Sequence, residues 1–494
     1  MCRHSLSIMA VVCMLLQVSS QDPNSLPRLL EAYKHVAEIL PTPTMLSNCQ
    51  RYVETQKVLA LIYVDVLDFY QQLFMVFHNR NWKPLFTTNW KDSEDRRELI
   101  LKNLVEVCEC MTQGFGTTTI IEMMEQRERR LEEWRKADKS HTQSRLQSVL
   151  AWLDVKDGQE DELDRLYGLQ YEGSCSWVFA NNKIRRWREA GRENPVVWLT
   201  GKPGAGKSVL SACVIQTLKQ DPMTEVPYYF SSYGAHGPTT FNKFLKTLTA
   251  QLIRGNPSRT AYIYSECIQK GFSPSIHKLK QVLHVLLSTT AGARVVVDGV
   301  DELEPSRDTG LIAERIGRCQ TVHLKSETSA VQSAIQAFVR HELSVLRSIF
   351  GSLDTDDALE ELERDLIDKA DGMFLWVRLV SSSLRQAVTL TELRDIVKKL
   401  PKGLEEMYRR IVHQILESSS DSQRAIKLRV LFWMVYGRKP LKKYEILSGA
   451  SIHRQNLDFG EQTRLQDAVL RQCKPLLEEG TDDTIRFVHF TAEE

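Results

Sequence analysis

Eight consecutive residues, Gly201-Lys202-Pro203-Gly204-Ala205-Gly206-Lys207-Ser208, place glycine first and sixth, with lysine and serine behind. Glycine lets the backbone turn until successive N–H groups point at one spot. A helix starting at Lys207 adds the positive end of its dipole there. Such a loop cradles phosphate: Lys207 can reach the β- and γ-phosphates of a nucleotide, and the Ser208 hydroxyl can ligate Mg²⁺. A second acidic piece, Val295-Val296-Val297-Asp298-Gly299-Val300-Asp301-Glu302, ends an apolar run in carboxylates. Asp298 is the expected magnesium partner, and Asp301 and Glu302 are the candidates for orienting or deprotonating an attacking water. ATP/ADP with Mg²⁺ is the expected ligand pair, and GTP stays open because phosphate contacts do not read the base.

These residues need strands and helices to hold them. Pro195–Thr200 reads as a strand into the glycine loop and Lys207–Lys219 as the helix after it, the context that gives the motif meaning. Val226–Phe230 and Ala293–Asp298 read as further strands, with helices at Phe241–Leu252 and His277–Leu287. Continuous apolar strands alternating with helices predict a parallel α/β sheet covered on both faces. The chain before it, about 26–118, has apolar residues at helix spacing, as in Tyr52–Tyr70 and Arg96–Met111. After about Ala330 helices dominate: Val331–Leu346, Leu359–Lys369, Phe374–Leu384, Leu404–Glu417 and Ile426–Met434. Thr484–Phe490 reads as a closing strand. The charge-rich Glu125–Lys136 reads as a solvated helix with i,i+4 ion pairs.

The chain has 494 residues, 42% hydrophobic and 26% charged, with a formal net charge of +1. Length predicts roughly three or four domains. No basic excess calls for nucleic acid. The ten cysteines are scattered, and Cys108-Glu109-Cys110 lacks a second pair to complete a zinc site, so reduced thiols in a cytoplasmic protein are expected. Residues 1–25 carry Arg3 and the apolar run Leu6–Leu16, which has the form of a secretory signal peptide and is too short to anchor in a membrane. A nucleotide-dependent module suits the cytoplasm better than the exterior.

Asp298-Gly299-Val300-Asp301-Glu302 resembles the Walker B motif of NACHT domains, signal-transduction P-loop NTPases found in fungal and animal intracellular receptors. Gly173-Ser174-Cys175-Ser176-Trp177 with Trp187 resembles the entry segment of the fungal members. Ala370–Val377 and Leu400–Tyr408 resemble their helical domain, and Phe487-Val488-His489-Phe490-Thr491-Ala492-Glu493 the motif closing their winged-helix domain. The resemblance implies a multidomain α and α/β chain. Its parts would be a helical N-terminal domain (26–118), a charged helical linker (119–170), a NACHT P-loop NTPase domain with a parallel sheet (171–345), a helical domain (346–418) and a winged-helix domain (419–494). It implies a switch: ADP holds the domains closed, with His489 on the β-phosphate, and exchange for ATP opens them for self-association through the NACHT domain and signalling to an unnamed partner. Such proteins act in fungal non-self recognition or programmed cell death. Hydrolysis, if any, would be slow and would reset the switch. No proline stands at Phe374, where relatives place one against adenine, so the base contact is open. The usual C-terminal ankyrin or WD40 repeats are absent from the sequence, which reads as a truncated member.

One departure stands out. The sheet of this class has a sensor strand between the two motif strands, reached through a helix and ending near Ser-Ser-Arg. Here Asp301-Glu302-Leu303-Glu304-Pro305 runs straight into Ser306-Arg307, leaving Arg307 as sensor without room for helix and strand, which need about fifteen to twenty residues. Without that strand the motif strands either leave a gap or pair directly, shifting Asp298 by roughly 4.8 Å. Two other readings stay open: a degenerate non-hydrolysing scaffold, and a P-loop ATPase doing mechanical work.

Overall fold

A computed structural model describes residues 25–39, 60–71, 83–113, 117–155, 158–189, 196–231, 240–290, 292–300, 320–350, 356–385, 387, 389–417, 420–437, 441–452, 465–480 and 483–493. Asp301, Glu302 and Arg307 lie outside these, as does the apolar segment 1–24. The chain divides into two compact units, Met1–Lys156 with Asn242–Ala293, and Asp157–Phe241 with Arg294–Glu494.

The first unit is helical. Helices Leu26–Ile39, 60–71, Lys83–Asp92, Glu94–Gln113 and Thr117–Leu153 surround a core of Leu29, Ile62, Phe69, Phe86, Ile100 and Leu104. Ile62 and Phe69 stand seven residues apart, and Ile100 and Leu104 four, so each pair shares a helix face. The expected surface pairs form on Thr117–Leu153, with Glu125 bound to Arg129 and Glu132 to Lys136. The same helix turns Arg127 and Leu131 inward, where Arg127 Nε donates to Asp65 Oδ2 at 3.2 Å in a buried ion pair. Charge in this stretch therefore serves the core as well as solvent.

The second unit holds the motif strands. β1 (Val197–Thr200) pairs parallel with β4 (Gln320–His323), and β2 (Tyr228–Phe230) pairs parallel with β3 (Val296–Asp298). Among the described residues these form two separate two-stranded pieces rather than one sheet. Of the two outcomes expected from a lost sensor strand, direct pairing of β1 with β3 is not the one seen. Helix Lys207–Lys219 packs on both pieces: Leu210 and Cys213 join Val322 and Leu324, while Ala212 and Ile215 join Tyr228 and Phe230. Offset apolar positions on one helix thus hold the two strand pairs on its two flanks.

Helices Thr328–Phe350, Asp356–Ala370, Phe374–Leu384, Leu390–Lys398 and Leu404–Glu417 share a further core. Trp376 is fully buried in it, with Nε1 donating to Pro401 O at 3.1 Å. A C-terminal module follows: helices Asp421–Tyr436, Lys443–Ser451 and Ala468–Gln472 with strands β5 (Leu441–Lys442), β6 (Leu477–Glu479) and β7 (Thr484–Phe487), antiparallel in the order β5-β7-β6. Val430, Ile446, Leu470 and Ile485 fill its core. Buried Lys427 donates to Ile415 O at 3.0 Å, placing a cation on the carbonyl end of the preceding helix.

Candidate nucleotide site

β1 delivers the chain into the glycine loop at Gly201, where a Cβ would lie 2.7 Å from Leu324 Cδ1. A larger residue there would force the Leu324 side chain to shift. Gly204 and Gly206 take φ of +72° and +82°, the left-handed region that other L-residues enter at a cost of about 1–2 kcal/mol. Gly206 then precedes the first turn of Lys207–Lys219, which contains Ser208. The Lys207 ammonium turns back to donate to the carbonyls of Gly201 at 3.0 Å and Lys202 at 3.1 Å.

Helix Phe374–Leu384 closes over this loop. The Leu375 amide donates to Gly204 O at 3.1 Å, the Phe374 ring would be 3.5 Å from a Cβ on Gly206, and Lys202 pairs with Asp371. That ion pair is exposed and contributes little. The backbone bond and the close approach matter more. A Cβ on Gly204 would meet Leu375 Cβ at 2.8 Å. Gly204→Ala is therefore expected to cost about 1–3 kcal/mol, strain and displacement of Leu375 together. Gly255→Ala, at φ +77° with nothing within 4 Å, carries the backbone strain alone. Urea unfolding of the two variants compares them, and equal losses would show that the Leu375 approach is unimportant.

His489 was expected within a strand. β7 ends at Phe487, and His489 instead heads the short 3-10 turn Phe490–Ala492. Its Nδ1 lies 2.9 Å from Thr491 Oγ1 and 3.3 Å from the Thr491 amide, and Thr491 Oγ1 lies 3.1 Å from the Tyr408 hydroxyl. Burial first, and the nearby Lys207 charge second, hold His489 down to about 4. Between that value and its ordinary one the unfolded chain binds the extra proton, so acidification through this window works against the arrangement.

Asp298 closes β3, its carbonyl accepting from the Ser231 amide at 3.1 Å. It stands on the strand pair that does not carry the loop. Among the described residues, no group of three or more His, Cys, Asp or Glu could hold a metal by itself. Magnesium at a glycine loop draws most of its ligands from phosphate and water, so such a protein cluster is not required of a loop of this kind.

Several contacts carry no motif. Glu162 accepts from Arg165 at 2.7 Å and Arg486 at 3.1 Å, while Glu478 accepts from Arg486 at 3.2 Å and Arg378 at 3.1 Å. This network ties helix Gln159–Gly168 and helix Phe374–Leu384 to β6 and β7. Burial pushes Glu162 up, but the arginines more than offset it and leave its carboxyl below the usual range. Behind the loop, the Cys213 thiol donates to Gln170 Oε1 at 3.0 Å beside Cys175. Cys108, Cys175, Cys213, Cys267 and Cys473 are free thiols.

The family model described as Nephrocystin 3, N-terminal, matches residues 173–331, the stretch holding the loop and β1 to β4. Together with the relative that follows, it supports a fungal NACHT-type protein. That relative is the vegetative incompatibility protein HET-E-1 of Podospora anserina, 23% identical over 385 residues, 70% of this chain. The chain spans 28% of the relative's length. No solved structure matches. Among the described residues, no helix is long and apolar enough to cross a membrane.

Proposed function

We propose that this chain is a cytoplasmic nucleotide-dependent switch in which ADP holds the glycine loop, the helical segment and the C-terminal module together, and ATP releases them for self-association and signalling in non-self recognition. The observation that carries this reading is the convergence of three elements at one place. Gly204 comes from the loop, Leu375 and Leu404 approach it from the two helices over it, and Thr491 of the C-terminal module, beside His489, meets Tyr408 on the Leu404 helix. The donors suit phosphate: loop amides, an ammonium now spent on carbonyls, and an imidazole. Glycine at 201, 204 and 206 leaves the backbone uncovered for a close approach. Ser208 and Asp298 would hold Mg²⁺, which when bound neutralises phosphate charge. The winged-helix reading of the C-terminal module rests on its three helices and three antiparallel strands.

The scaffold reading draws on the strand pairs, which among the described residues are separate and put Asp298 and the loop on different pieces. Nucleotide content of the purified protein, measured beside Lys207→Ala, separates the readings. Tight ADP with negligible turnover is expected for the wild type. Loss of a charged hydrogen-bond donor of about 1.5–3 kcal/mol predicts an affinity some ten- to hundred-fold weaker in the variant. No nucleotide in either protein would favour the scaffold, and fast hydrolysis a motor.

A further inference from the structure

The arrangement around His489 fixes where its proton sits. The Thr491 backbone N–H can only donate, and it points at His489 Nδ1 from 3.3 Å. As a hydrogen bond this contact needs a lone pair on Nδ1, which selects the Nε2–H tautomer over the Nδ1–H tautomer and the imidazolium. With Nδ1 an acceptor, the 2.9 Å contact to Thr491 Oγ1 is a hydrogen bond only if the hydroxyl donates. Thr491 Oγ1 then has only lone pairs for Tyr408, so at 3.1 Å the phenol donates to it. One polarity satisfies these three contacts, Tyr408 O–H to Thr491 Oγ1, Thr491 O–H to Nδ1 and Thr491 N–H to Nδ1, and it leaves the ring proton on Nε2. The turn supports it, because the Ala492 amide donates to His489 O at 3.0 Å and holds Thr491 against the ring.

We propose that Thr491, backed by Tyr408, is a positioning residue that keeps His489 as a neutral imidazole with its N–H on Nε2, so that His489 offers a nucleotide phosphate a directed hydrogen bond rather than a second positive charge. This rests on the nucleotide-switch reading. The chemical reason is economy of charge. The ring stands beside Thr491, which meets Tyr408 on the helix whose Leu404 would lie 3.3 Å from a Cβ on Gly204. The charge of Lys207 in that loop bears on the ring. An imidazolium there would repel the lysine whenever no anion is present, and would also lose the Thr491 amide bond. A neutral Nε2–H donor is compatible with both conditions. Tyr408 belongs to helix Leu404–Glu417, so the ring's proton is set jointly by the helical segment and the C-terminal module.

The test uses the full chain with ¹³C-labelled histidine, His489 being assigned by its loss in His489→Gln, and ADP as the ligand. The wild type and Thr491→Ser should show the Nε2–H tautomer at pH 7, and Thr491→Val a mixture of tautomers. ADP affinity should fall roughly ten-fold in Thr491→Val, the size of one directed hydrogen bond, and return in Thr491→Ser. Any of three results overturns the proposal. They are an Nδ1–H or doubly protonated wild-type ring, unchanged ADP affinity in Thr491→Val, or equal losses in the Ser and Val variants. If the wild type binds no ADP at all, the switch reading fails separately. The wild-type tautomer, which needs no ligand, still decides whether Thr491 sets the ring.

Discussion

Arg127→Ala is expected to destabilise the helical unit by about 3–5 kcal/mol at neutral pH, the cost of leaving a buried charge without its partner. Asp65 is 1% exposed and Arg127 7%, so no water replaces the lost guanidinium. Burial pushes the Asp65 carboxyl above its ordinary range, the hydrogen bond and charge of Arg127 pull it back, and Asp68 adds a further upward push. Removing Arg127 therefore raises it further. A carboxyl whose folded value exceeds its unfolded one contributes most stability below the unfolded value and loses it as pH rises through the folded one. The deficit of the variant should be small near pH 4 and full by pH 7, as read by urea unfolding at the two values. Asp65→Leu with Arg127→Met, which removes both charges at similar volume, should lie close to the wild type. A deficit independent of pH would show that packing, not the unpaired carboxylate, is responsible.

Trp376→Ala should cost a comparable amount, about 3–5 kcal/mol, through the cavity left by a large side chain with no exposure. Its consequences should also reach the site. Trp376 follows Leu375, the donor to Gly204, and its indole holds Pro401, which leads into the helix carrying Tyr408. Hydrogen exchange at the Leu375 amide should therefore accelerate in Trp376→Ala and much less in Trp376→Phe, which refills most of the volume. Equal exchange in all three proteins would mean that the core and the loop contact are independent.

Local physics explains what could be read directly from the residues. Lys207–Lys219, Phe374–Leu384 and Leu404–Glu417 form over the same residues that the sequence predicts, and Leu404–Glu417 buries a single stripe of Leu404, Met407, Tyr408, Ile411 and Ile415. The glycine loop was legible because left-handed backbone demands glycine at 204 and 206. What escaped depends on residues far apart in the chain. Glu162 and Arg486 are separated by 324 positions, and neither has a pattern around it that names the other. Leu375 looks like an ordinary core residue, and its amide finds Gly204 only through the packing of whole helices. Val488 and Phe490 extend the apolar run of β7 and so predict a strand through His489, but the strand pairing stops at Phe487. The role of Thr491 turns on a donor direction, which no residue type reveals.

The bond from Leu375 to Gly204 gives helix Phe374–Leu384 a second character, that of a ligand tethered to the loop. A tethered ligand acts at an effective concentration, on the order of millimolar for a short flexible link, and never diffuses away. Any phosphate compound that needs Gly204 in another position competes with that standing occupant, and its measured affinity is reduced accordingly. One that accepts the closed loop gains from it. Linkage makes the exchange mutual: whatever free energy the helix adds to such binding, the bound compound returns to the helix.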